Sequence, residues 1–204
     1  MARVTRRFPG ADHLLFLGRF LRSPRSVGAI APSSRFLAER MVSSIELTGG
    51  VRVVELGPGT GACTAAIARV LPADARFLGI DRESAFVDLL RERWPQHEYV
   101  CDTVENLSAI ARARNLLPLD HIISGLPFAS LPRPVTLAVL DAVRDTLRPG
   151  GTFTTFQYVH AYGMSAAREF RSQMHERFGL PASRETVVRN LPPALVLTWR
   201  KERA

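Results

Sequence analysis

The sequence predicts an α/β protein: a doubly wound sheet of seven strands, mostly parallel with a C-terminal antiparallel hairpin, plus N-terminal helices. Three observations carry that prediction. Short β-branched runs alternate with segments of helical periodicity from residue 51 onward, the pattern of a parallel sheet covered by helices on both faces. The first run leads directly into a glycine-rich turn, 57-GPGTG-61. The last two runs are separated only by 191-LPP-193, too short for a crossover helix, so they should pair antiparallel at the sheet edge.

In chain order, the first fifty residues read as a helical lead. From Asp12, a residue suited to N-capping, 12-DHLLFLGRFLRS-23 gathers Leu14, Phe16, Leu17, Phe20 and Leu21 within about 160° of arc, with Arg19 and Arg22 opposite. Such a stripe either packs on the protein's own domain or lies in the plane of an anionic membrane interface. The flanking Arg3, Arg6, Arg7 and Arg25 favour the membrane, because core packing does not require them. A helix over 34–45 follows, with Ser33 as its cap. Strands are expected at 51–56, 76–80, 98–101, 120–124, 152–158, 185–190 and 194–200, and helices at 61–71, 84–93, 105–114 and 134–147. Residues 1–50 are read as a basic, amphipathic lid of the same domain as the sheet in 51–204.

At 204 residues and 46% hydrophobic, the chain suits one domain with a full core. Lys201 is the only lysine, so the basicity is arginine. Residues 1–40 hold eight arginines against Asp12 and Glu39, a net +6 of the chain's total +8. A charge so localised points to an anionic partner, a membrane surface or a nucleic acid. Nucleic acid is the less favoured, since bulk binding would spread the basic surface over the domain. Cys63 and Cys101 have neither disulfide-framework nor metal-site spacing, so no metal is expected and a reducing cytoplasm fits. The run 14-LLFL-17 is too short for a secretory core, and nothing approaches the roughly 18 apolar residues of a spanning helix. The expected location is therefore cytoplasmic, peripheral on the inner face of the cell membrane.

Glycines between a strand and a helix let a ligand approach the main chain and point helix N-terminal amides at it. The spacing Gly57-x-Gly59-x-Gly61, followed by Ala62, is not the dinucleotide G-x-G-x-x-G, and the absence of GK[ST] excludes a P-loop. Asp81 ends the second strand, where a carboxylate can accept from both ribose hydroxyls. Asp102 ends the third, where one can accept from an exocyclic adenine amine. Either acid could equally cap the helix after it; together with Glu55 they suit a nucleoside ligand.

On these residues the chain resembles the Rossmann-like S-adenosylmethionine-dependent methyltransferases over 51–200: 55-ELGPGTG-61 looks like their first motif, 79-GID-81 their second-strand acid and 102-DTVENL-107 their adenine-side segment. The resemblance implies S-adenosylmethionine as cofactor, S-adenosylhomocysteine as product and no metal. It implies that Gly57 and Gly59, with Thr60 and Gly61, pass the methionine part, which Glu55 orients. Asp81 would clamp the ribose, Asp102 and Thr103 would hold the adenine, and Ser124 would complete the cofactor set.

The fourth strand ends in 124-SGLPF-128, where enzymes methylating exocyclic base amines, the ribosomal RNA adenine dimethylases among them, place an Asn or Asp before Pro and an aromatic residue. Ser124 and Gly125 offer no such amide. Instead, 27-VGAIAPSS-34, 53-VVELGPGTG-61, 122-IISGLPF-128 and 190-NLPPA-194 resemble the bacterial phospholipid N-methyltransferases, from about residue 16 to 200. That resemblance implies methylation of phosphatidylethanolamine toward phosphatidylcholine at the membrane surface, with Ile30 and Ser33 bordering the cofactor pocket. Phe128 and Tyr158 are the candidate aromatic wall for a methylated ammonium, and Tyr162, Arg168 and Arg171 are candidates for the lipid phosphate. His160 could take the amine proton, although no general base is required. Two alternatives stand beside this reading: an N-methyltransferase of RNA adenine or a small-molecule amine, and an inactive, methyltransferase-like membrane-binding protein.

Overall fold

The computed structural model describes residues 34–46 and 48–203. The amphipathic stretch 12–23, Ile30 and Ser33 lie outside the described residues. The first described element is helix α1, Arg35–Val42. Its cap is Ser34 rather than Ser33: the Ser34 Oγ accepts the Leu37 N–H at 3.2 Å, satisfying one of the first-turn amides.

The strands are β1 (Arg52–Leu56), β2 (Arg76–Asp81), β3 (Glu98–Cys101), β4 (Leu119–Ser124), β5 (Leu147–Tyr158), β6 (Ser183–Val187) and β7 (Ala194–Arg200). They form one seven-stranded sheet in the order β3-β2-β1-β4-β5-β7-β6. Every pair is parallel except those made by β7, which runs antiparallel to both β5 and β6. The expected terminal hairpin is therefore present, with β7 as its inner strand and β6 at the edge.

Helices α2 (Ala62–Val70), α3 (Ser84–Arg93), α4 (Leu107–Ala113) and α5 (Arg133–Thr146) fall where the periodicity places them. A 3₁₀ turn, Val104–Asn106, precedes α4. Helix α6 (Ser165–Phe178) occupies a segment to which the sequence reading assigned no bounds. Its only apolar stripe is Ala167, Phe170, Met174 and Phe178, a narrow seam in a polar helix.

Strand β5 starts at Leu147, five residues earlier than expected, and takes in 148-RPGG-151. Proline and glycine there read as breakers, but tertiary contacts extend the strand. Gly150 N–H donates to Lys201 O at 2.8 Å, Lys201 N–H returns a bond to Gly151 O at 2.9 Å, and Arg148 pairs with Asp120. Strand β6 ends at Val187 instead of 190 because Asn190 turns the chain. Asn190 is buried; its Oδ1 accepts the Ser34 N–H at 2.9 Å and its Nδ2 donates to Pro192 O at 2.7 Å. One amide side chain thus fastens the last hairpin to the start of α1.

The side chains of the sheet alternate between two cores. On one face Val54, Leu56, Ile122, Phe153 and Trp199 meet Leu107, Val139 and Phe170 of α4, α5 and α6. On the other, Val53, Phe77, Ile123 and Val196 meet Leu37, Ile67 and Leu90 of α1, α2 and α3. This two-layer coverage explains the continuous apolar runs of the central strands. His121, at the foot of β4, is structural: its Nε2 accepts the Glu46 N–H at 3.1 Å, so Nδ1 carries the proton and donates to Thr152 Oγ1 at 2.7 Å. Burial pushes its pKa down.

Removing the Asn190 amide leaves the Ser34 N–H and the Pro192 carbonyl without their partner. Asn190→Ala should lower the unfolding free energy by about 1–3 kcal/mol, read as an earlier urea midpoint with an unchanged denaturant slope.

Candidate functional site

After β1 the chain crosses toward β2, while β4 lies on the other side of β1. The carboxyl ends of β1 and β4 therefore flank the crevice where open α/β sheets take their ligands. The loop 57–61 lies at this point. Gly57 N–H donates to Ile80 O at 2.9 Å, and Gly57, Gly59 and Gly61 have φ of 68°, 54° and 88°. The three glycines meet different surroundings. A Cβ on Gly57 would stand 2.8 Å from Leu126 Cδ2, and one on Gly61 would stand 2.6 Å from Trp94 Cζ3 and 2.8 Å from Leu90 Cδ2. Gly61 is thus a packing residue that lets α2 approach α3. At Gly59 no atom of the described residues lies within 4 Å of such a Cβ, so among them this is where a ligand can meet bare backbone.

The acids lie beside that opening. Asp81 Oδ2 accepts the Gly59 N–H at 2.9 Å and Oδ1 accepts the Glu83 N–H at 3.0 Å. Burial pushes its carboxyl pKa up, and the two amides oppose that shift. A carboxylate has about four lone-pair sites, so two bonds to amides leave capacity for two hydroxyls. Glu55, only 1% exposed, shares this face of the sheet and accepts the Thr64 hydroxyl at 2.6 Å. Burial pushes its pKa up to about 8; Thr64 offsets part of the shift, the nearby Asp81 charge adds to it, and no cation contributes. Glu55 is therefore mostly neutral at pH 7.

Asp102 is half-buried and precedes the 3₁₀ turn. Its Oδ1 accepts the Thr103 N–H at 2.7 Å and Asn106 Nδ2 at 2.9 Å, while its Oδ2 makes no hydrogen bond among the described residues. The Thr103 hydroxyl is taken by Glu105. The Thr60 carbonyl accepts from Arg93 at 3.2 Å. Ser124 is fully buried; its Oγ accepts the Leu126 N–H at 3.3 Å and its carbonyl accepts the Thr155 hydroxyl at 3.1 Å, so it shapes the turn after β4. Among the described residues no group of three or more His, Cys, Asp or Glu is placed to hold a metal.

Phe128 and Tyr158 do not form one wall. Phe128 belongs to the α4–α6 core, stacked on Phe170 with centroids 4.5 Å apart. Tyr158 belongs to the opposite core, edge-on to Phe156 at 5.3 Å and stacked on the exposed His160 at 5.7 Å. Burial pushes the Tyr158 hydroxyl up to about 12, moderated by its bond with Asn190. Tyr162 and Arg171 do come together: the guanidinium lies 3.7 Å over the ring and donates to Gln157 Oε1 at 2.7 Å. Arg168 is exposed. Gln157, which the sequence reading passed over, is buried and also donates to Ala167 O at 3.3 Å. A lone amide inside 152-TFTTFQY-158 is the signal that could have found it. Asn190 sat in a quoted motif without an assigned role.

Comparison with known proteins agrees with this geometry. The family described as "Methyltransferase domain" matches residues 53–151. The ornithine lipid N-methyltransferase of Singulisphaera acidiphila is 32% identical over 189 residues, covering 90% of this chain and 93% of that protein. The chain belongs to the S-adenosylmethionine-dependent methyltransferases. The ribosomal RNA small subunit methyltransferase A of Chlorobium phaeobacteroides is 26% identical over 114 residues, covering 53% of this methyltransferase and 39% of that enzyme. The crystal structure of a TehB-like SAM-dependent methyltransferase from Corynebacterium glutamicum superposes with a TM-score of 0.62 at 13% identity, covering 95% of this chain and 100% of that one. At that identity the likeness concerns the fold.

The methyltransferase's residues fit such a cofactor. Among the described residues nothing fills the space at Gly59, Asp81 keeps acceptor capacity for a ribose, and nothing donates to the Asp102 Oδ2. Glu55 is a buried carboxyl without a cation.

Two predictions separate these roles. Gly61→Ala should cost about 2–4 kcal/mol of stability through left-handed strain and the collision with Trp94. Gly59→Ala should cost only about 1 kcal/mol of strain, yet weaken S-adenosylhomocysteine binding roughly tenfold in calorimetry by crowding the opening. The raised Glu55 pKa means the folded state holds its proton more tightly than the unfolded chain, so stability falls as pH rises from 4.5 toward 8. Glu55→Gln keeps an acceptor for Thr64 and removes this penalty. It should raise the melting temperature of the free protein by roughly 3 °C or more at pH 8, and by little at pH 4.5.

Proposed function

We propose that this methyltransferase moves methyl groups from S-adenosylmethionine to the primary amine of a membrane lipid head group, working as a peripheral protein on the cytoplasmic face. The observation that carries this reading is the 32% identity to an ornithine lipid N-methyltransferase through nearly the whole of both chains. It makes an ornithine lipid the first acceptor. Phosphatidylethanolamine, methylated toward phosphatidylcholine, is the second, on the resemblance of 27-VGAIAPSS-34 and 190-NLPPA-194 to the phospholipid enzymes. A base amine is disfavoured because Ser124 is buried and engaged in its own turn, so the SGLPF loop presents no side-chain amide to a base.

The bound cofactor supplies an electrophilic methyl group on a sulfonium. The protein's part is to align the amine and exclude water. The loop 57–61 and Asp81 hold the nucleoside, with Asp102 on its adenine side. Glu55, neutral in the free protein, offers a carboxylate to an incoming cation. The amine must arrive unprotonated, and a desolvating pocket lowers its pKa toward that state. His160, exposed and stacked on Tyr158, lies at the carboxyl end of β5, where it can pass the released proton to solvent. The ring of Tyr158 offers a face to the more persistently cationic product.

With methyl-labelled S-adenosylmethionine and detergent micelles, label should enter ornithine lipid, and phosphatidylethanolamine to a smaller extent. Label in RNA or in small soluble amines with none in either lipid would reject the proposal, and failure to bind S-adenosylhomocysteine would favour an inactive membrane-binding protein.

A further inference from the structure

We propose that the loop after β5 and the turn joining β6 to β7 form a membrane-contact surface that seats on anionic phospholipid at the mouth of the site. This deepens the lipid-amine reading and rests on it. Among the described residues, six large apolar side chains are exposed, and four of them fall in these two segments: Val159 at 45%, Met164 at 56%, Val188 at 74% and Leu191 at 86%. The segments adjoin, because Val159 N–H donates to Pro193 O at 2.9 Å and Tyr158 pairs with Ala194. Both lie at the carboxyl end of β5, the end at which the glycine loop opens from β1.

Turns are ordinarily built from small polar residues, and Leu191 and Val188 contribute little to the core at these exposures. Contiguous exposed apolar residues mark an interaction site, and the charges around this one indicate its partner. Arg35, Arg168 and Arg189 are exposed, and none forms an ion pair among the described residues. Arg35 and Arg189 stand 5.0 and 5.1 Å from the same Phe36 ring. Several other arginines are ion-paired, as in Arg40–Glu185, Arg133–Glu169 and Arg177–Asp141. Exposed apolar side chains with exposed arginines beside them in the same segments are the composition of surfaces that enter an anionic interface.

The backbone of the turn fits the same surroundings. Pro192 and Pro193 have no N–H to leave unsatisfied, Asn190 Nδ2 satisfies the Pro192 carbonyl, and Val159 N–H satisfies that of Pro193. The proline pair therefore presents no unsatisfied backbone group to the interface.

The test uses the full chain with vesicles of phosphatidylcholine, with and without phosphatidylglycerol. Wild-type protein should sediment with the anionic vesicles. The double variant Val188→Asp, Leu191→Asp should bind them at least roughly tenfold more weakly, and Arg189→Glu roughly tenfold more weakly at low salt but less so at high salt. Both should keep the wild-type melting temperature and S-adenosylhomocysteine affinity. Lipid methylation by the double variant should fall on vesicles and persist in micelles.

A second measurement does not depend on weakened binding. A fluorophore sensitive to polarity on Leu191→Cys in a Cys101→Ser background, with Cys63 buried, should shift to the blue with anionic vesicles. The proposal is overturned if the wild type does not sediment, if the double variant sediments like it, or if the label's emission is unchanged. It is also overturned if the double variant turns a dimer into a monomer, which would assign the patch to a second copy of the chain. Absence of lipid methylation in micelles by the wild type would instead defeat the lipid-amine reading, leaving the vesicle comparison intact.

Discussion

The tie between the Asp81 carboxylate and the Gly59 amide organises the site. It joins the carboxyl end of β2 to the loop after β1 across the crevice and holds Gly59 in a left-handed conformation with its open side outward. A second bond, from Glu83, fixes the other oxygen at the start of α3. The carboxylate is therefore aimed before any ligand arrives, which is the preorganisation that binding rewards. Burial under the same loop raises the Glu55 pKa, and no cation of the described residues opposes the shift. A fold selected only for stability would not place two acids this close beneath a loop; such arrangements are tolerated where a ligand uses them.

A second tie, from Asn190 to Ser34, connects the far ends of the described chain. It couples the start of α1 to the turn that carries Leu191. Val159 N–H donates to Pro193 O beside it, so the hairpin, the first helix and the carboxyl end of β5 are fastened together. Buried networks of this kind specify one arrangement only when every member is satisfied. Here the amide uses both its oxygen and its nitrogen.

The strands and helices from residue 51 to 146 were legible because each is written in a local period, and the glycine turn because backbone freedom is a property of residue type. The start of β5 was hidden, since 148-RPGG-151 reads as a breaker until Lys201 and Asp120 support it from outside. Helix α6 was faint because its stripe is narrow. Phe128 and Tyr158, both at the carboxyl ends of neighbouring strands, could not be assigned to opposite faces without the register and the loop after β4.

The sequence alone determined the α/β class, the glycine-rich loop with its two strand-end acids, and the absence of any long apolar run, all functions of residue type at short spacing. Only the tertiary structure decided that Gly59 is the open glycine among the described residues while Gly61 accommodates Trp94, that β7 lies between β5 and β6, and that Arg35 and Arg189 meet at one Phe36 ring. These facts rest on contacts between segments far apart in the chain. Such contacts are set by packing and register, on which local composition is silent.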